Sequence, residues 1–461
     1  MFTQLRIQNF KAWKDTGDIR LAPLTVFFGP NSSGKTSLLQ FLLMLKQTAQ
    51  SPDRRQVLNF GGSHSFIDFG VWPEMVFGGE PTTGLHFGFT WQVPTGPQRA
   101  GRRLGGATME FEADIGPTST APLGVREFRY HLKDLPKRSG YEFHVGIRHS
   151  EATRAYEVSL ARDLWVATLT APHRFYGFPH ELGARALMKE GRKEAPIAPI
   201  YDELEFELEQ QLDSTRYLGP LREASERLYT WPGDAPEDVG FSGENTVAAL
   251  LAARERVLRV PDEQEDVGFG VLLARWLVRM GLLESFEAKP IVPEARIYQV
   301  MVRTPGSRRQ VNLADVGFGV SQVLPVVVQL LYAERDNTLM FEQPEIHLHP
   351  RVQSELADLF IETTKMRQDG KPRGIQCLVE SHSEHFLRRI QRRIAEGTLT
   401  PDQTALYFCK PGPDGSVIEE LKLDEYGNIS NWPENFFGDE VGDLAAMTEA
   451  AMKRQLGSEG E

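Results

Sequence analysis

Residues 25–40 read TVFFGPNSSGKTSLLQ, and this stretch decides the fold. Gly29-Pro30-Asn31-Ser32-Ser33-Gly34-Lys35-Thr36 fills every position of the pattern G-x-x-x-x-G-K-[ST]. Leu24 to Phe28 is a short apolar run of the kind that forms a buried parallel strand. From Thr36 onward apolar residues recur at helical spacing. Strand, glycine loop and helix together make a phosphate cradle: the backbone N–H groups of the loop converge on an anion at a helix N-terminus. Lys35 adds a cation, and the Thr36 hydroxyl is placed to bind Mg²⁺. The pattern therefore predicts ATP and Mg²⁺ as ligands.

The rest of the composition narrows the partners. The chain has 461 residues, room for two or three packed units or one large α/β domain with an insertion. Its 51 basic and 63 acidic residues give a formal net charge of −12. So acidic a chain does not coat DNA by bulk electrostatics, and any DNA contact needs a local basic patch or a partner. The two cysteines, Cys377 and Cys409, form no C-x-x-C pair and suit a reducing cytoplasm. No apolar run has the length of a membrane helix, and the first residues lack the apolar core of a secretory signal.

Around the cradle, Leu5, Ile7 and Phe10 mark an N-terminal strand, with a second strand near Asp18 to Leu21 expected to pair with it. From Leu85 to about Tyr176 the alternation predicts an antiparallel meander, interrupted by a turn carrying Arg99, Arg102 and Arg103. Pro179 to Gly191 reads as a helix, followed by the proline-spaced link Ala195 to Ile200 and an acidic helix from Tyr201 to Leu212. Next comes Tyr217-Leu218-Gly219-Pro220-Leu221-Arg222, a strand ending in a turn from which Arg222 could either reach a nucleotide or organise the insertion. Helices are expected after Asn245 and over Phe269 to Leu283, and a strand over Tyr298 to Arg303.

The second half of the site lies far along the chain. Leu339 to Pro350 is LMFEQPEIHLHP, an apolar strand with Glu342 at its end, where P-loop ATPases place a Mg²⁺-side carboxylate. Ile375 to His382 is a further buried strand followed by Ser381-His382-Ser383, which places His382 to sense a terminal phosphate. Gly317 and Gly319 precede a helix starting near Ser321-Gln322, a second helix N-terminus suited to an anion.

In this order, these motifs resemble the ATP-binding-cassette heads of the SMC/RecF/OLD kind, and most of all the bacterial AAA family ATPases carrying E-Q-P-E-I-H-L-H-P. Some relatives of that kind are ATPase subunits of phage-defence systems such as Septu and PARIS. The resemblance covers roughly residues 1–90 and 295–440. It implies that Asn31, Ser32, Ser33, Gly34, Lys35, Thr36 and Ser37 hold phosphate and Mg²⁺, and that Gly319, Ser321 and Gln322 form a signature segment facing the nucleotide of another copy. Glu342 would be the metal-side acid and His382 the switch histidine. The usual acidic pair is replaced by Glu342-Gln343, and a glutamine orients water but cannot accept its proton. Slow hydrolysis is therefore expected, with Glu345 as a substitute base, since general-base catalysis contributes about 10²–10⁴-fold. The residues after His382 are too few for the nuclease domain of OLD proteins.

The expected architecture is thus an α/β P-loop NTPase of the ABC-ATPase head type with an antiparallel β lobe and an inserted mixed or helical domain. Its expected parts are residues 1–176, 177–294 and 295–461. The expected function is an ATPase that closes as a homodimer or higher oligomer and controls a partner effector, a nuclease or toxin. The alternatives are a DNA-end ATPase that contacts DNA directly and a nucleotide-gated scaffold with little turnover. A metal site among His347, His349, His382 and His385 is set aside because its spacing matches no zinc signature. Arg388, Arg389, Arg392 and Arg393 read as a solvated helix face.

Overall fold

The computed structural model describes residues 1–461 except 63–64, 96–103, 135–141, 162–163, 169, 180–197, 262, 293, 295, 435, 439 and 459–461. The turn with Arg99, Arg102 and Arg103, and the helix expected over Pro179 to Gly191, fall largely outside the described residues.

Two sheets position the site. The first has six strands in the order Thr215–Leu218, Thr338–Glu342, Gln376–Glu380, Leu24–Phe28, Thr404–Gly412 and Gly415–Glu420. Its first five strands run parallel, and the last is an antiparallel edge. The cradle strand Leu24–Phe28 is therefore central, and Gln376–Glu380 separates it from the strand that ends in Glu342. The edge strand Thr215–Leu218 comes from residues 177–294, so that segment is not a body apart from the ATPase sheet.

Central parallel strands are covered on both faces, so nearly every residue is apolar and alternate ones enter different cores. Phe27, Met340, Leu378 and Tyr407 join one core with the helices Lys35–Gln50 and Ala198–Asp213 and the β lobe. Leu24, Val26, Phe28, Leu339, Phe341, Cys377 and Val379 join the other, beneath the helices Phe318–Tyr332, Pro350–Lys365 and Glu384–Ala395. Cys377 is fully buried there.

The second sheet is the antiparallel meander. Phe2–Phe10 pairs with Leu85–Gln92, and the order continues through Thr108–Gly116, Gly124–Lys133, Phe143–Ser150, Ala155–Ala161 and Leu164–Thr168. Ile19–Arg20 pairs with Phe2–Phe10, as the alternation at the N-terminus requires. The Gln376 amide ties the two sheets together. It donates to the Phe2 carbonyl (2.7 Å) and accepts from the Phe2 N–H (3.1 Å). A smaller sheet of Tyr229–Thr230, Ile297–Arg303, Ser285–Val292 and Val311–Asn312 lies beside the apolar helix Phe269–Arg279. Among the described residues, no helix is long and apolar enough to cross a membrane.

Candidate nucleotide site

The loop between Phe28 and Lys35 is shaped by glycines that nothing else can replace. At Gly29, φ is +141° and a Cβ would stand 2.0 Å from the Cys409 carbonyl oxygen. At Gly34, φ is +87° and a Cβ would meet the Trp13 indole at 2.9 Å. The indole also braces the loop: Trp13 Nε1 donates to Gly34 O (3.1 Å) and to Ser37 Oγ (3.0 Å). The Ser37 hydroxyl in turn donates to Gly34 O (2.6 Å).

Lys35 begins the helix and is buried. Its ammonium donates to Gly29 O (3.1 Å) and Pro30 O (2.8 Å) and lies 3.7 Å from Glu380 Oε1. Burial pushes its pKa down, opposed by the Glu380 charge. The Thr36 hydroxyl donates to Glu380 Oε2 at 2.7 Å. Glu380 therefore occupies the place beside the cradle that the sequence assigned to Glu342, because its strand is the one next to Leu24–Phe28.

Glu342 pairs in register with Glu380 one strand farther out. Its Oε1 accepts from the Tyr217 hydroxyl (2.6 Å), and burial raises its pKa to about 7. An open cleft of about 590 Å³ is lined by Asn31, Ser32, Ser33, Gly34, Lys35, Thr36 and Ser37, together with Lys11, Ala12, Gln40, Gln343 and Glu380. Glu342 is not part of that lining. Gln343 reaches it from a left-handed backbone with φ +44°, and its N–H donates to Glu380 O (2.9 Å). Such a conformation in a non-glycine residue is held only by its surroundings.

Glu345 lies beneath the loop, away from the cleft lining. Its Oε1 accepts from Ser381 Oγ (2.8 Å) and from the His382 N–H (2.6 Å), and burial raises its pKa. It fixes the Ser381–His382 turn and does not face the nucleotide cleft. His382 Nε2 stands 4.0 Å from Glu380 Oε1. Burial, and next the Lys35 charge, push the His382 pKa down to about 4, so the ring is neutral near pH 7. The structure thus gathers Lys35, Thr36, Gln343 and His382 around Glu380.

The segment with Gly319, Ser321 and Gln322 begins the helix Phe318–Tyr332, and none of the three lines the cleft. Ser321 faces a separate crevice with Glu223, Tyr229 and Thr246. Arg222 connects this helix start to the acid loop. Its buried guanidinium donates to Gln322 O (3.4 Å), Glu342 O (3.2 Å) and Gln343 O (3.4 Å), and the Gln322 amide donates back to Arg222 O (3.4 Å).

Sequence reasoning missed Glu380, Trp13, Lys11 and the linking role of Arg222. Only Glu380 left a signal, as the last residue of a buried strand two places before His382. The arginine-rich helix is a solvated face at Arg388 and Arg392, as read, but not at Arg389 and Arg393. Arg389 and Arg393, with Arg279, converge on the buried Asp358 carboxylate. His349 caps the helix Pro350–Lys365, its Nδ1 accepting from the Arg351 N–H at 3.3 Å.

The donor set fits an Mg²⁺–nucleotide: carboxylate and hydroxyl oxygens for a hard cation beside a lysine and a ring of loop N–H groups for phosphate. Five parallel strands, the cradle and the neighbouring strand-end acids make an α/β P-loop nucleotide-binding fold. Residues 1–69 and 278–387 match the AAA ATPase domain, and residues 399–447 match a protein of unknown function (DUF3696). The AAA ATPase match thus falls in two pieces, one holding the phosphate loop and the other the strands that end in Glu342 and Glu380. No curated protein matches the chain.

Similar solved structures are SMC heads. The SMC head domain from Thermotoga maritima has 11% identity and a TM-score of 0.37, over 91% of this chain and 99% of that one. An Smc head bound to the C-terminal winged-helix domain of ScpA has 10% identity and a TM-score of 0.42, over 92% and 98%. The Pyrococcus furiosus Smc head with an extended coiled coil, bound to the C-terminal domain of ScpA, has 10% identity and a TM-score of 0.38, over 92% and 96%.

Proposed function

We propose that the protein binds ATP with Mg²⁺, closes as a homodimer or higher oligomer, hydrolyses ATP slowly, and uses that cycle to control a partner effector. The effector class that fits is a nuclease or toxin in bacterial anti-phage defence, in the cytoplasm. One observation carries the reading: Gly319, Ser321 and Gln322 lie outside the cleft of their own chain, whereas Lys35, Thr36, Gln343 and Glu380 line it. A helix N-terminus with no nucleotide of its own is suited to that of a second copy.

Loop N–H groups and Lys35 hold the phosphates. Thr36 and Glu380 would hold the metal, which neutralises phosphate charge when bound, and Glu342 stands one strand farther out. Gln343 orients the attacking water, and neutral His382 accepts or donates a hydrogen bond at the terminal phosphate. Because no glutamate stands at position 343, proton removal is weak and the closed state lasts. Phosphate charge shared between two copies favours closure, and its cleavage favours opening.

The test is native mass measurement of the chain with and without ATP–Mg²⁺, alongside phosphate release. ATP should shift the wild-type chain to a dimer or larger species and leave Lys35→Ala unchanged. A Lys35→Ala variant that assembles with ATP as the parent does would overturn the proposal.

A further inference from the structure

A second candidate site lies on the outer face of the β lobe. Glu110, His131 and His144 stand directly opposite one another on three adjacent antiparallel strands. Their neighbours Phe111, Tyr130, Leu132 and Val145 point into the core, so these three share the opposite face. Glu142, two residues before His144, brings a second carboxylate to the same place.

The hydrogen bonding sets the tautomer of His131. Its Nδ1 lies 3.1 Å from Glu110 Oε2, and an ionised carboxylate only accepts, so Nδ1 carries the proton. In the neutral ring Nε2 then presents a lone pair. That atom is buried, makes no hydrogen bond, and lies 3.7 Å from Glu142 Oε2. His144 Nε2 lies 3.7 Å from the same oxygen. One ligand atom from each of His131, Glu142 and His144 falls within 4.8 Å of the other two. Donors on a tetrahedral Zn²⁺ with bonds of about 2.0–2.1 Å stand roughly 3.3–3.4 Å apart, a little closer than the two 3.7 Å separations from Glu142.

We propose that His131, Glu142 and His144 form a binding site for a divalent transition-metal ion of the Zn²⁺ class, with Glu110 orienting His131 from behind. The two rings are stacked, with centroids 3.7 Å apart and planes at 22°. Binding therefore swings them about their Cβ–Cγ bonds until both lone pairs meet one ion, with water in the fourth position. A carboxylate behind a metal-binding imidazole holds the ring and raises its basicity. Two imidazoles and one carboxylate select a borderline cation over Mg²⁺, which prefers six oxygens, so the site is chemically distinct from the nucleotide cleft. The ion would clip the strands Gly124–Lys133 and Phe143–Ser150 together.

The test uses the full chain stripped with chelator and titrated calorimetrically with ZnCl₂, then with Co²⁺ to read visible absorption. One ion should bind per chain, and Co²⁺ should give the bands of a four-coordinate site. His131→Ala, His144→Ala and Glu142→Gln should each weaken binding by at least about 10-fold, and Glu110→Gln by about 10-fold. Lys35→Ala should bind Zn²⁺ as the parent does, and excess Mg²⁺ should not displace it. Unchanged Zn²⁺ affinity in the His131→Ala and His144→Ala variants overturns the proposal, as does no binding to the wild type at about 100 μM Zn²⁺. The wild-type Co²⁺ spectrum decides the matter without any variant: octahedral bands alone also overturn it.

Discussion

Glu342 and Glu380 end neighbouring parallel strands on the same rung of one sheet, yet their surroundings are opposite. Glu380 faces the cradle, bonded to Thr36 and close to Lys35. Glu342 is buried beside Tyr217, and burial, helped by the Glu380 charge and opposed by the Tyr217 hydrogen bond, moves its proton affinity toward neutral pH. A strand-end acid is therefore not a ligand by position alone. What decides its role is which strand separates it from the phosphate loop, and here that strand is its neighbour's.

The largest expected effect tests the cradle side of this comparison. Lys35→Ala removes the buried cation at the phosphates and should weaken ATP binding by about 100-fold, roughly 2.7 kcal/mol, in a titration with a fluorescent ATP analogue. Next, Glu380→Gln should lower Mg²⁺-dependent phosphate release by about 10²-fold or more, and Glu342→Gln by less than about 10-fold. The reverse order would return the principal metal role to Glu342.

Arg222→Ala frees the strained Gln343 and the helix start together. It should cut kcat by about 10-fold with little change in KM, because the affected groups act on the terminal phosphate and not on nucleotide capture. Arg222→Lys, which cannot span three carbonyls with a planar fork, should restore only part of that loss.

The protonation of Glu342 has a stability consequence. Its proton is held to about pH 7 in the fold, against an ordinary carboxyl value of about 4.5, so its contribution is fully present below about 4.5 and is lost as pH rises toward 7. Glu342→Gln should flatten the fall of the unfolding free energy over that window, measured by denaturant titration, by at most about 1.4 kcal/mol per pH unit. Glu205 and Glu362, also raised to about 7 by burial, keep some slope in the variant. The smallest effect should come from Trp13→Phe, which loses two hydrogen bonds to the loop. We expect about 0.5–1.5 kcal/mol of stability and a few-fold change in ATP affinity.

The cradle was legible because its geometry is local: consecutive residues fix the turn, the lysine and the helix start. The meander was legible because alternation is local too. Strand order was not, since nothing in LMFEQ or IQCLVE says which lies beside TVFF. Glu380 was passed over for that reason, although His382 two residues later was read. Arg222 escaped because its partners are backbone carbonyls, which leave no mark on the sequence. Arg389 and Arg393 escaped because their shared acid, Asp358, sits on another helix.

The central place of Leu24–Phe28 has a consequence for how the chain is made. Both of its sheet neighbours begin roughly 350 residues or more after it. At about 5–20 residues per second, the strand waits roughly 20 to 70 seconds on the ribosome before either partner is synthesised. Phe27 packs early against the helix Lys35–Gln50 and the β lobe, but Leu24, Val26 and Phe28 belong to the core built by the late helices. During that interval the nascent chain carries an apolar half-strand with no core to enter and a phosphate loop without its acid, so the nucleotide cleft is incomplete until translation has passed Glu380.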